Sequence, residues 1–361
     1  MTSPLPYQIL HQKGELKRRA EILRQKLNSC TICPRHCNTD RRHEVEGFCR
    51  SGRNPLVAST VAHFGEEPAL VGKNGAGNIF FGSCNLRCVY CQNWQISHPS
   101  NKSQTTFPSP LVGEGVRRRR TGEGERRKNE MTVEELADRM IVLQNQGCHN
   151  INFVSPSHFA AQMVEAIAIA CDKGLNVPLV YNTNAYDDIE TLELLDGIID
   201  IYLPDIKYAD DLTAIKYSQA RDYTQISRIA IKEMYRQAGI LQMDENGLAR
   251  RGLIVRHLIL PNDMAGGEDS FRFLAEEVSR KVTISVMAQY YPTNKAELIP
   301  LLSRKIRFSE YTAVLDLLDK YGLENGWIQE LESSETYCPD FTREAPFDGS
   351  TLLTINPELV E

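Results

Sequence analysis

The sequence predicts an α/β fold, a partial (β/α)6 barrel preceded by a small cysteine-rich module. From residue 78 onward, six short β-branched or aromatic runs alternate with stretches of helical periodicity. These runs are apolar nearly throughout, as strands covered on both faces must be. Repeated βα units favour a parallel sheet with right-handed crossovers, either open and doubly wound or curled into a barrel, and six units suit a partial barrel.

The individual elements follow from local patterns. The predicted strands are Asn78 to Phe81, Asn150 to Val154, Pro178 to Tyr181, Ile199 to Leu203, Leu253 to Ile259 and Val282 to Met287. The clearest helix begins at Thr132, because Thr132 and Glu135 have the spacing of a capping box, and it should end near Gly147. Its predicted buried face carries Leu136, Met140 and Leu143.

Three units are expected along the chain. Residues 1–57 should hold a short amphipathic helix, with Leu16, Ala20, Leu23 and Leu27 on its apolar face, followed by a four-cysteine module. Residues 58–300 should form the barrel, and residues 301–361 a helical tail.

Composition indicates an ordinary globular protein. The chain has 361 residues, 42% of them hydrophobic, and a formal net charge of −6. No apolar run approaches the roughly 20 residues that a membrane span needs, so no membrane association is expected. The first twenty residues contain no apolar core of a signal peptide, so we expect a cytoplasmic protein.

Residues 101–130 do not belong to the βα pattern. They contain eight Lys or Arg and four Glu, a net charge of +4, which leaves −10 on the rest of the chain. We interpret them as a disordered low-complexity insertion. A nucleic-acid-binding arm is the alternative, and it is disfavoured because no aromatic residues are interleaved among the arginines for base stacking.

The chain contains ten cysteines, and their spacing bears on its function. Seven of them form two groups with short gaps, and in a long chain without an export signal such groups more often bind metal than form disulfides. The remaining Cys148, Cys171 and Cys338 are scattered, and we interpret them as small buried hydrophobic residues.

The strongest motif is Cys84-x3-Cys88-x2-Cys91, which directly follows the first predicted strand and has Tyr90 before its last cysteine. A structural zinc site needs four protein ligands, and only His98 lies nearby as a fourth. Three thiolates on a [4Fe-4S] cluster leave one iron open, and an open coordination position is typical of catalysis. A zinc knuckle is the alternative.

This motif at the end of a first βα strand resembles that of the radical S-adenosylmethionine (SAM) superfamily. The segments His63 to Pro68 and Gly82 to Asn93 resemble the branch related to pyruvate formate-lyase activating enzymes, with its PflX-like iron-sulfur proteins. The resemblance runs from about Cys30 to Pro292. It implies that a reduced [4Fe-4S] cluster cleaves SAM to a 5′-deoxyadenosyl radical, which abstracts hydrogen.

The resemblance also implies partners. The target would be a glycine in a glycyl radical enzyme, and the electron donor a reductant such as flavodoxin or ferredoxin. Radical modification of another peptide or of a small molecule remains the alternative within the superfamily.

Polar residues stand at the ends of the later strands, where the working residues of parallel α/β folds gather. The resemblance implies that they hold SAM. Ser155 and Ser157 take the place of a Gly-Gly-Glu-Pro segment that holds the amino group, and Asn182 and Thr183 take the place of Asp-Thr.

Further cofactor contacts follow from the same resemblance. Asp205-x-Lys207 matches an Asp-x-Lys pair, whose lysine could bind the SAM carboxylate. Arg256 falls where these enzymes carry a pocket arginine, and Tyr90 where an aromatic residue packs near the adenine.

Several nearby residues have two interpretations. One interpretation is that a substrate entrance is lined by His63, Glu66 and Glu67. The other is that these residues form a turn before the first strand. His158 and His257 are explained equally well as buried histidines with satisfied hydrogen bonds.

The second group comprises Cys30, Cys33, Cys37 and Cys49, enough thiolates to close a tetrahedral site. Zinc and a second iron-sulfur cluster remain equally open, and either would stabilise a module too small to bury much core. A rival from another class is a zinc-stabilised nucleic-acid-binding protein that uses both cysteine groups and the arginine run. The net charge of −10 outside the insertion argues against nucleic-acid binding as the function.

Overall fold

We analysed a computed structural model, which describes residues 4–43, 45–98, 129–335, 339–341, 343, 346 and 347. Its strands are β1 (Val57–His63), β2 (Ala76–Phe81), β3 (Ile151–Val154), β4 (Leu179–Thr183), β5 (Ile201–Pro204), β6 (Gln242–Met243), β7 (Ala249–Leu258), β8 (Thr283–Met287) and β9 (Gly326–Ile328). Its helices are α1 (Pro6–Gln12), α2 (Glu15–Gln25), α3 (Pro68–Val71), α4 (Trp94–Ser97), α5 (Val133–Asn145), α6 (Ala160–Asp172), α7 (Ile189–Leu194), α8 (Asp211–Ser218), α9 (Tyr223–Ala238), α10 (Gly267–Phe273) and α11 (Phe308–Tyr321).

The strands form one mostly parallel sheet in the order β1-β2-β3-β4-β5-β7-β8-β9. All neighbours from β2 to β9 are parallel, whereas β1 is antiparallel to β2 and the short β6 is antiparallel to β7. Phe80, Asn182, Arg256 and Trp327, from strands across the whole sheet, line a single cavity. The sheet is therefore curled around that cavity, and the predicted α/β partial barrel is confirmed.

All six predicted strands are present, with ends that differ by a few residues. Three further strands were not predicted. β1 is an edge strand with half-exposed polar residues, and β6 and β9 are two and three residues long, too short to produce a pattern. Since β9 pairs with β8, the segment predicted as a helical tail contains a strand of the sheet as well as helix α11.

Helix α5 begins as predicted. Thr132 Oγ1 accepts a hydrogen bond from the Glu135 amide at 3.1 Å, and the Thr132 amide donates to Glu135 Oε2 at 2.8 Å. Two amides without helical partners are thereby satisfied at the first turn. The chain leaves the helix at Gly147, which has a φ of 91°. The predicted apolar face, Leu136, Met140 and Leu143, is buried.

Helix α3 closes the amino-terminal end of the barrel. Its Ala69 and Leu70 pack with Val180, Ile201 and Ile254 from the inner face of the sheet. Because apolar side chains fill this end of the barrel, the cavity is confined to the end where the parallel strands finish.

The N-terminal helices pack on the outside of the barrel. Tyr7 donates a hydrogen bond to the Val177 carbonyl at 2.9 Å, and Arg24 pairs with Glu165 of α6 at 3.1 Å. The buried Arg41, in the cysteine-rich segment, donates to the His158 carbonyl at 2.6 Å. The described apolar residues of this N-terminal segment, among them Tyr7, Leu16 and Leu23, therefore belong to the same hydrophobic core as the barrel.

Most of the predicted insertion at 101–130, like Cys338, lies outside the described residues. Its last two residues are described: Glu130 forms a β-bridge with Leu56, and the Val57 amide donates to the Asn129 carbonyl at 2.9 Å. Of the other scattered cysteines, Cys148 is buried and Cys171 partly buried. Among the helices that the structure describes, none is both long and apolar enough to cross a membrane.

Gly326 should be required for the attachment of β9. It has a φ of 141°, and a Cβ built on it would lie 1.8 Å from the Ile284 carbonyl oxygen. We expect Gly326→Ala to lower the free energy of unfolding by about 3 kcal/mol or more, measured by urea denaturation. Gly247→Ala is the control, because Gly247 has a φ of 74° but no atom within 4 Å, and strain alone should cost about 1–2 kcal/mol. Equal losses in the two variants would contradict the β8–β9 packing.

Candidate functional site

The carboxyl ends of the parallel strands surround a cavity of about 670 Å³. This volume lies within the range of small-molecule sites. Cys84, Cys88 and Cys91 line it together with the residues that follow β3, β4 and β5. The three-cysteine motif and the strand ends therefore belong to one site, as the sequence predicts.

The cysteine loop turns sharply into this cavity after β2. Ser83 adopts a φ of 66°, which is uncommon for a residue with a side chain. The turn is held at both residues before Cys84, because Gly82 donates its amide to the Leu56 carbonyl at 2.8 Å and Ser83 donates to the Ile96 carbonyl at 2.7 Å. Backbone strain held in place by surrounding contacts is typical of functional loops.

Each sulfur of the loop has a hydrogen-bond partner. Cys84 Sγ accepts from the Leu86 amide at 3.3 Å and from Asn184 Nδ2 at 3.4 Å. Cys88 Sγ accepts from Ser218 Oγ at 3.0 Å, and Cys91 Sγ lies 3.2 Å from Ser97 Oγ. Donors of this kind stabilise thiolates and tune a cluster bound to them.

Burial and the neighbouring Cys88 raise the pKa of the Cys84 thiol, and the same two causes raise the pKa of Cys91 to about 12. Both thiols are therefore protonated in the free protein at neutral pH. A metal centre must displace these protons when it binds, so its affinity should increase with pH.

These sulfurs fit a cluster better than a single ion. Within the described part of the chain, no three His, Cys, Asp or Glu side chains are arranged to hold one metal ion. A [4Fe-4S] cluster takes one cysteine per iron, so its ligands need not converge on one atom. Three cysteines with hydrogen-bond partners, all facing one cavity, meet that requirement and would leave the fourth iron of such a cluster without a protein ligand.

The segments that follow β4, β5 and β8 hold the cysteine loop. Asn85 donates to the Tyr186 carbonyl at 2.7 Å, and the Val89 amide donates to the Tyr217 carbonyl at 2.8 Å. The Val89 carbonyl in turn accepts from the Ala296 amide at 3.1 Å. The position of the three sulfurs is thus set by contacts far apart in sequence.

Asp205 and Lys207 form an ion pair on the cavity wall beside this loop. Lys207 Nζ lies 2.6 Å from Asp205 Oδ2, and their side chains are only 16% and 21% exposed. Burial alone would lower the pKa of Lys207, but Asp205 and then Cys88 raise it above its usual range. The ammonium group is therefore charged where the sequence predicts a contact with a carboxylate.

Four other predicted cofactor contacts, Tyr90, Ser155, Asn182 and Thr183, also line the cavity. Tyr90 packs edge to face against Tyr208 and Tyr290, with ring centroids 6.3 and 6.0 Å apart. Thr183 Oγ1 donates to Asp187 Oδ2 at 2.5 Å, so its hydroxyl proton is already used.

Ser157 is placed differently. It is buried away from the cavity, and its Oγ lies 3.1 Å from Thr183 Oγ1. This position does not support its predicted contact with the cofactor, because the residues after Ser155 turn into the short helix Ser157–Phe159 that leads into α6. Ser155 itself has a φ of 57°, faces the cavity and donates its amide to the Asn182 carbonyl.

Arg256 is engaged by two carboxylates at the base of the cavity. Its Nε and Nη2 bind Glu67 at 2.7 and 2.6 Å, and Nη2 also contacts Glu66. Glu66 accepts a further hydrogen bond from Asn78 at 2.6 Å. Burial alone would lower the pKa of Arg256, but Glu67 and Glu66 raise it well above its usual range.

The Glu66–Arg256–Glu67 triad limits what Arg256 can bind and agrees with one of the two interpretations of the glutamates, that they line the site. The fork of the guanidinium is occupied by protein carboxylates, so Arg256 is a positioning residue of the cavity floor rather than a free ligand for an incoming carboxylate. The glutamates and His63 line the cavity and do not form an exposed turn. No local pattern pairs Glu66 with an arginine 190 positions later.

Other site residues were missed. Asn184, Ser97 and Ser218 contact the cysteine sulfurs, but only Asn184, which adjoins Asn182 and Thr183, carried a signal in the sequence. His158 and His257 are buried as expected, but only one ring nitrogen of each has a hydrogen-bond partner within the described residues, and His158 Nδ1 and His257 Nε2 have none. His158 bonds the Gly82 carbonyl at 3.0 Å and His257 the Ile206 carbonyl at 3.2 Å, and burial lowers their pKa values to about 3 and about 4.

The second cysteine group lies in the loop between α2 and β1. Cys30, Cys33 and Cys49 are buried and Cys37 is partly buried. This loop contacts the Cys84–Cys91 loop directly, because Arg35 Nε donates to the Asn85 carbonyl at 2.8 Å.

Comparison with known proteins identifies a matching family and several similar chains. Residues 78–242 match the Radical SAM superfamily. The chain is 29% identical over 309 residues to the uncharacterized protein MJ0674 of Methanocaldococcus jannaschii, covering 85% of this chain and 79% of that one. It is 23% identical over 336 residues to the uncharacterized protein MJ0808 of the same organism, covering 86% and 84%.

The crystal structure of HydG, a maturase of the [FeFe]-hydrogenase, is similar with a TM-score of 0.45 and 12% identity. That match covers 93% of this chain and 61% of HydG.

The Glu66–Arg256–Glu67 triad should stabilise the protein before any cofactor binds. We expect Arg256→Met to lower the free energy of unfolding of the apoprotein by about 3–5 kcal/mol in urea denaturation, because two buried carboxylates lose their counter-ion. The triple variant Glu66→Gln/Glu67→Gln/Arg256→Met should recover most of that loss.

Arg304→Met is the matched control for this prediction. Arg304 pairs with the more exposed Glu310, and its loss should cost about 1 kcal/mol or less. If Arg256→Met costs no more than Arg304→Met, Arg256 is not anchored in the apoprotein and is free to bind a ligand.

Proposed function

We propose that this chain, whose residues 78–242 form a radical SAM superfamily domain, is an enzyme that binds a [4Fe-4S] cluster through Cys84, Cys88 and Cys91. The observation that carries the proposal is that Cys84, Cys88, Cys91 and the partly buried Asp205–Lys207 pair line the same cavity. When bound, the cluster would supply the electron that cleaves SAM to methionine and a 5′-deoxyadenosyl radical for hydrogen abstraction.

The residues of the cavity have distinct tasks in this proposal. The charged Lys207 would bind the carboxylate of SAM, and Asp205 keeps that ammonium oriented through its contact at 2.6 Å. In the same cavity, Tyr90 offers an aromatic edge, and the backbone at Ser155 and Asn182 offers polar groups. Apolar side chains on the same wall exclude water, which protects a reactive intermediate from side reactions. They include Phe80, Val154, Leu258 and Met287.

A cysteine substitution tests the chemistry. After anaerobic reconstitution with iron and sulfide, wild-type protein with dithionite should convert SAM to 5′-deoxyadenosine, measured by liquid chromatography. Cys88→Ala should lose the product and the iron of this cluster. Cys148→Ala is the control, because Cys148 is also buried but lies outside the cavity, and it should behave as wild type.

Two outcomes would contradict the proposal. One is 5′-deoxyadenosine formation that survives in Cys88→Ala. The other is a colourless wild-type protein that binds only zinc, and this result would favour the zinc-stabilised nucleic-acid-binding alternative, which also predicts salt-dependent binding to DNA or RNA.

We propose further that hydrogen is taken from a glycine in a partner protein. Support comes from the sequence likeness of Asp205-x-Lys207 and of the Gly82–Asn93 segment to pyruvate formate-lyase activating enzymes. The cavity has room beyond these residues, since it extends to Trp327 of β9 and to Pro346 and Phe347. A reductant such as flavodoxin or ferredoxin would supply the electron.

Deuterium transfer tests this target. Pyruvate formate-lyase labelled with α-deuterated glycine serves as the probe, and we expect deuterium in the 5′-deoxyadenosine together with a glycyl radical signal in electron paramagnetic resonance (EPR). The same enzyme with its radical glycine replaced by alanine is the control and should give neither. Unlabelled product and no glycyl signal from the labelled protein would contradict this target and favour another peptide or a small molecule.

A further inference from the structure

We propose that Cys30, Cys33, Cys37 and Cys49 hold a second iron-sulfur cluster, and that it delivers electrons to the centre at Cys84, Cys88 and Cys91. The delivery step rests on the proposed function, because it needs that centre as the electron acceptor. The second site itself stands on separate observations.

The four cysteines form one compact group. Burial raises the pKa of the Cys33 thiol, and Cys49, Cys30 and Cys37 lie close enough to raise it further. The backbone around them is ordered by the Cys30 amide, which donates to the Thr39 carbonyl at 2.9 Å, and by the Asn38 amide, which donates to the Cys30 carbonyl at 3.1 Å. These contacts join the two ends of the cysteine-rich turn.

Two sulfurs of this group have hydrogen-bond donors, which would tune the potential of a bound cluster. The Phe48 amide lies 3.4 Å from Cys37 Sγ, and Arg41 Nη1 lies 3.9 Å from Cys30 Sγ. Gly47 lets the backbone approach closely, because a Cβ at this position would lie 3.2 Å from Cys37 Sγ. The loop is therefore shaped around the sulfurs.

The arrangement favours a cluster over zinc. A tetrahedral zinc site requires four sulfurs at about 2.3 Å from one point. In the part of the chain that the structure describes, which includes all four cysteines, no group of ligands has an arrangement suited to one ion. Cys84, Cys88 and Cys91 likewise form no group arranged around one ion. The cysteine ligands of an iron-sulfur cluster bind separate irons and need not converge on one point.

A short chain of hydrogen bonds connects the two groups. The Phe48 amide donates to Cys37 Sγ at 3.4 Å, and the carbonyl of the same residue accepts from Arg87. Arg87 Nη1 then donates to the Cys84 carbonyl at 2.7 Å. Arg87 thus joins Phe48, whose amide is hydrogen-bonded to Cys37, to the backbone of Cys84.

Two guanidinium groups occupy the junction. Arg35 and Arg87 both stack on the Phe48 ring, with distances of 3.6 and 4.3 Å to its centroid. Arg35 interacts electrostatically with Cys33, Cys84 and Cys37, and Arg87 interacts with Cys84 and Cys49. These two positive charges offset the negative charge of two thiolate-bound centres, which would otherwise be costly to place side by side.

The proposed step is a transfer of one electron with no bond made or broken. A low-potential one-electron donor, such as reduced flavodoxin, reduces the Cys30–Cys49 centre. That centre is then oxidised by one electron and the Cys84–Cys91 centre is reduced by one.

Metal analysis and EPR spectroscopy test the site without reference to activity. Reconstituted wild-type protein should contain about eight irons and no zinc, and Cys33→Ala/Cys37→Ala about four irons. Fully reduced wild type should show the spectrum of two interacting spins, and either that double variant or Cys84→Ala/Cys88→Ala/Cys91→Ala should show one isolated spin. About four irons with one zinc in wild type would overturn the proposal.

The relay is tested by the ratio of flavodoxin-driven to dithionite-driven 5′-deoxyadenosine formation. In Cys33→Ala/Cys37→Ala this ratio should fall at least tenfold, because dithionite can reach the catalytic centre without the relay. In the control Cys148→Ala the ratio should not change. An unchanged ratio in the double variant would overturn the relay even if the second cluster is present.

A further variant covers the case in which the double variant does not fold. Arg87→Met keeps all seven cysteines, so its iron content should remain about eight, whereas the spin interaction and the ratio should both decrease. If both remain as in wild type, the bridge through Arg87 is wrong. If wild type makes no 5′-deoxyadenosine with either reductant, the proposed function fails, while the metal analysis still decides the second site.

Discussion

The shape of the cavity depends on the buried ion pairs of Arg256 with Glu66 and Glu67. Three charged side chains at the centre of a curled sheet are tolerated because each has a counter-ion and Asn78 satisfies a further oxygen. Below them the apolar residues of α3 fill the barrel. The triad therefore forms a polar floor, and the cavity lies above it, where the parallel strands end.

The cysteine loop is organised before any cluster binds. Contacts from the segments after β4, β5 and β8 hold its backbone, and Asn184 and Ser218 already point at its sulfurs. Binding a cluster therefore needs little ordering of the loop, but it must displace protons from buried thiols. On its outer side the loop meets the cysteine-rich segment through Arg35 and Arg87, which makes that segment part of the site's surroundings and not a detached module.

Local chemistry made much of this predictable. The six apolar runs, the Thr132 capping box and the Cys84-x3-Cys88-x2-Cys91 spacing each lie within a dozen residues, so their signals survive in the sequence alone. The parallel arrangement of the sheet then implies that the strand ends share one edge, which correctly grouped Asn182, Asp205 and Lys207 with the cysteines. Short strands such as β9 were missed because pairing with a neighbour, and not local pattern, creates them.

By itself, then, the sequence determined the α/β class, the order of the strands along the chain and the three-cysteine motif, because periodicity and spacing are properties of neighbouring residues. Only the tertiary structure decided which side chains meet. It paired Arg256 with Glu66 and Glu67, turned Ser157 away from the cavity and brought the second cysteine group against the first. The physical reason is that these contacts join residues tens to hundreds of positions apart, and burial selects their partners only after the chain has folded.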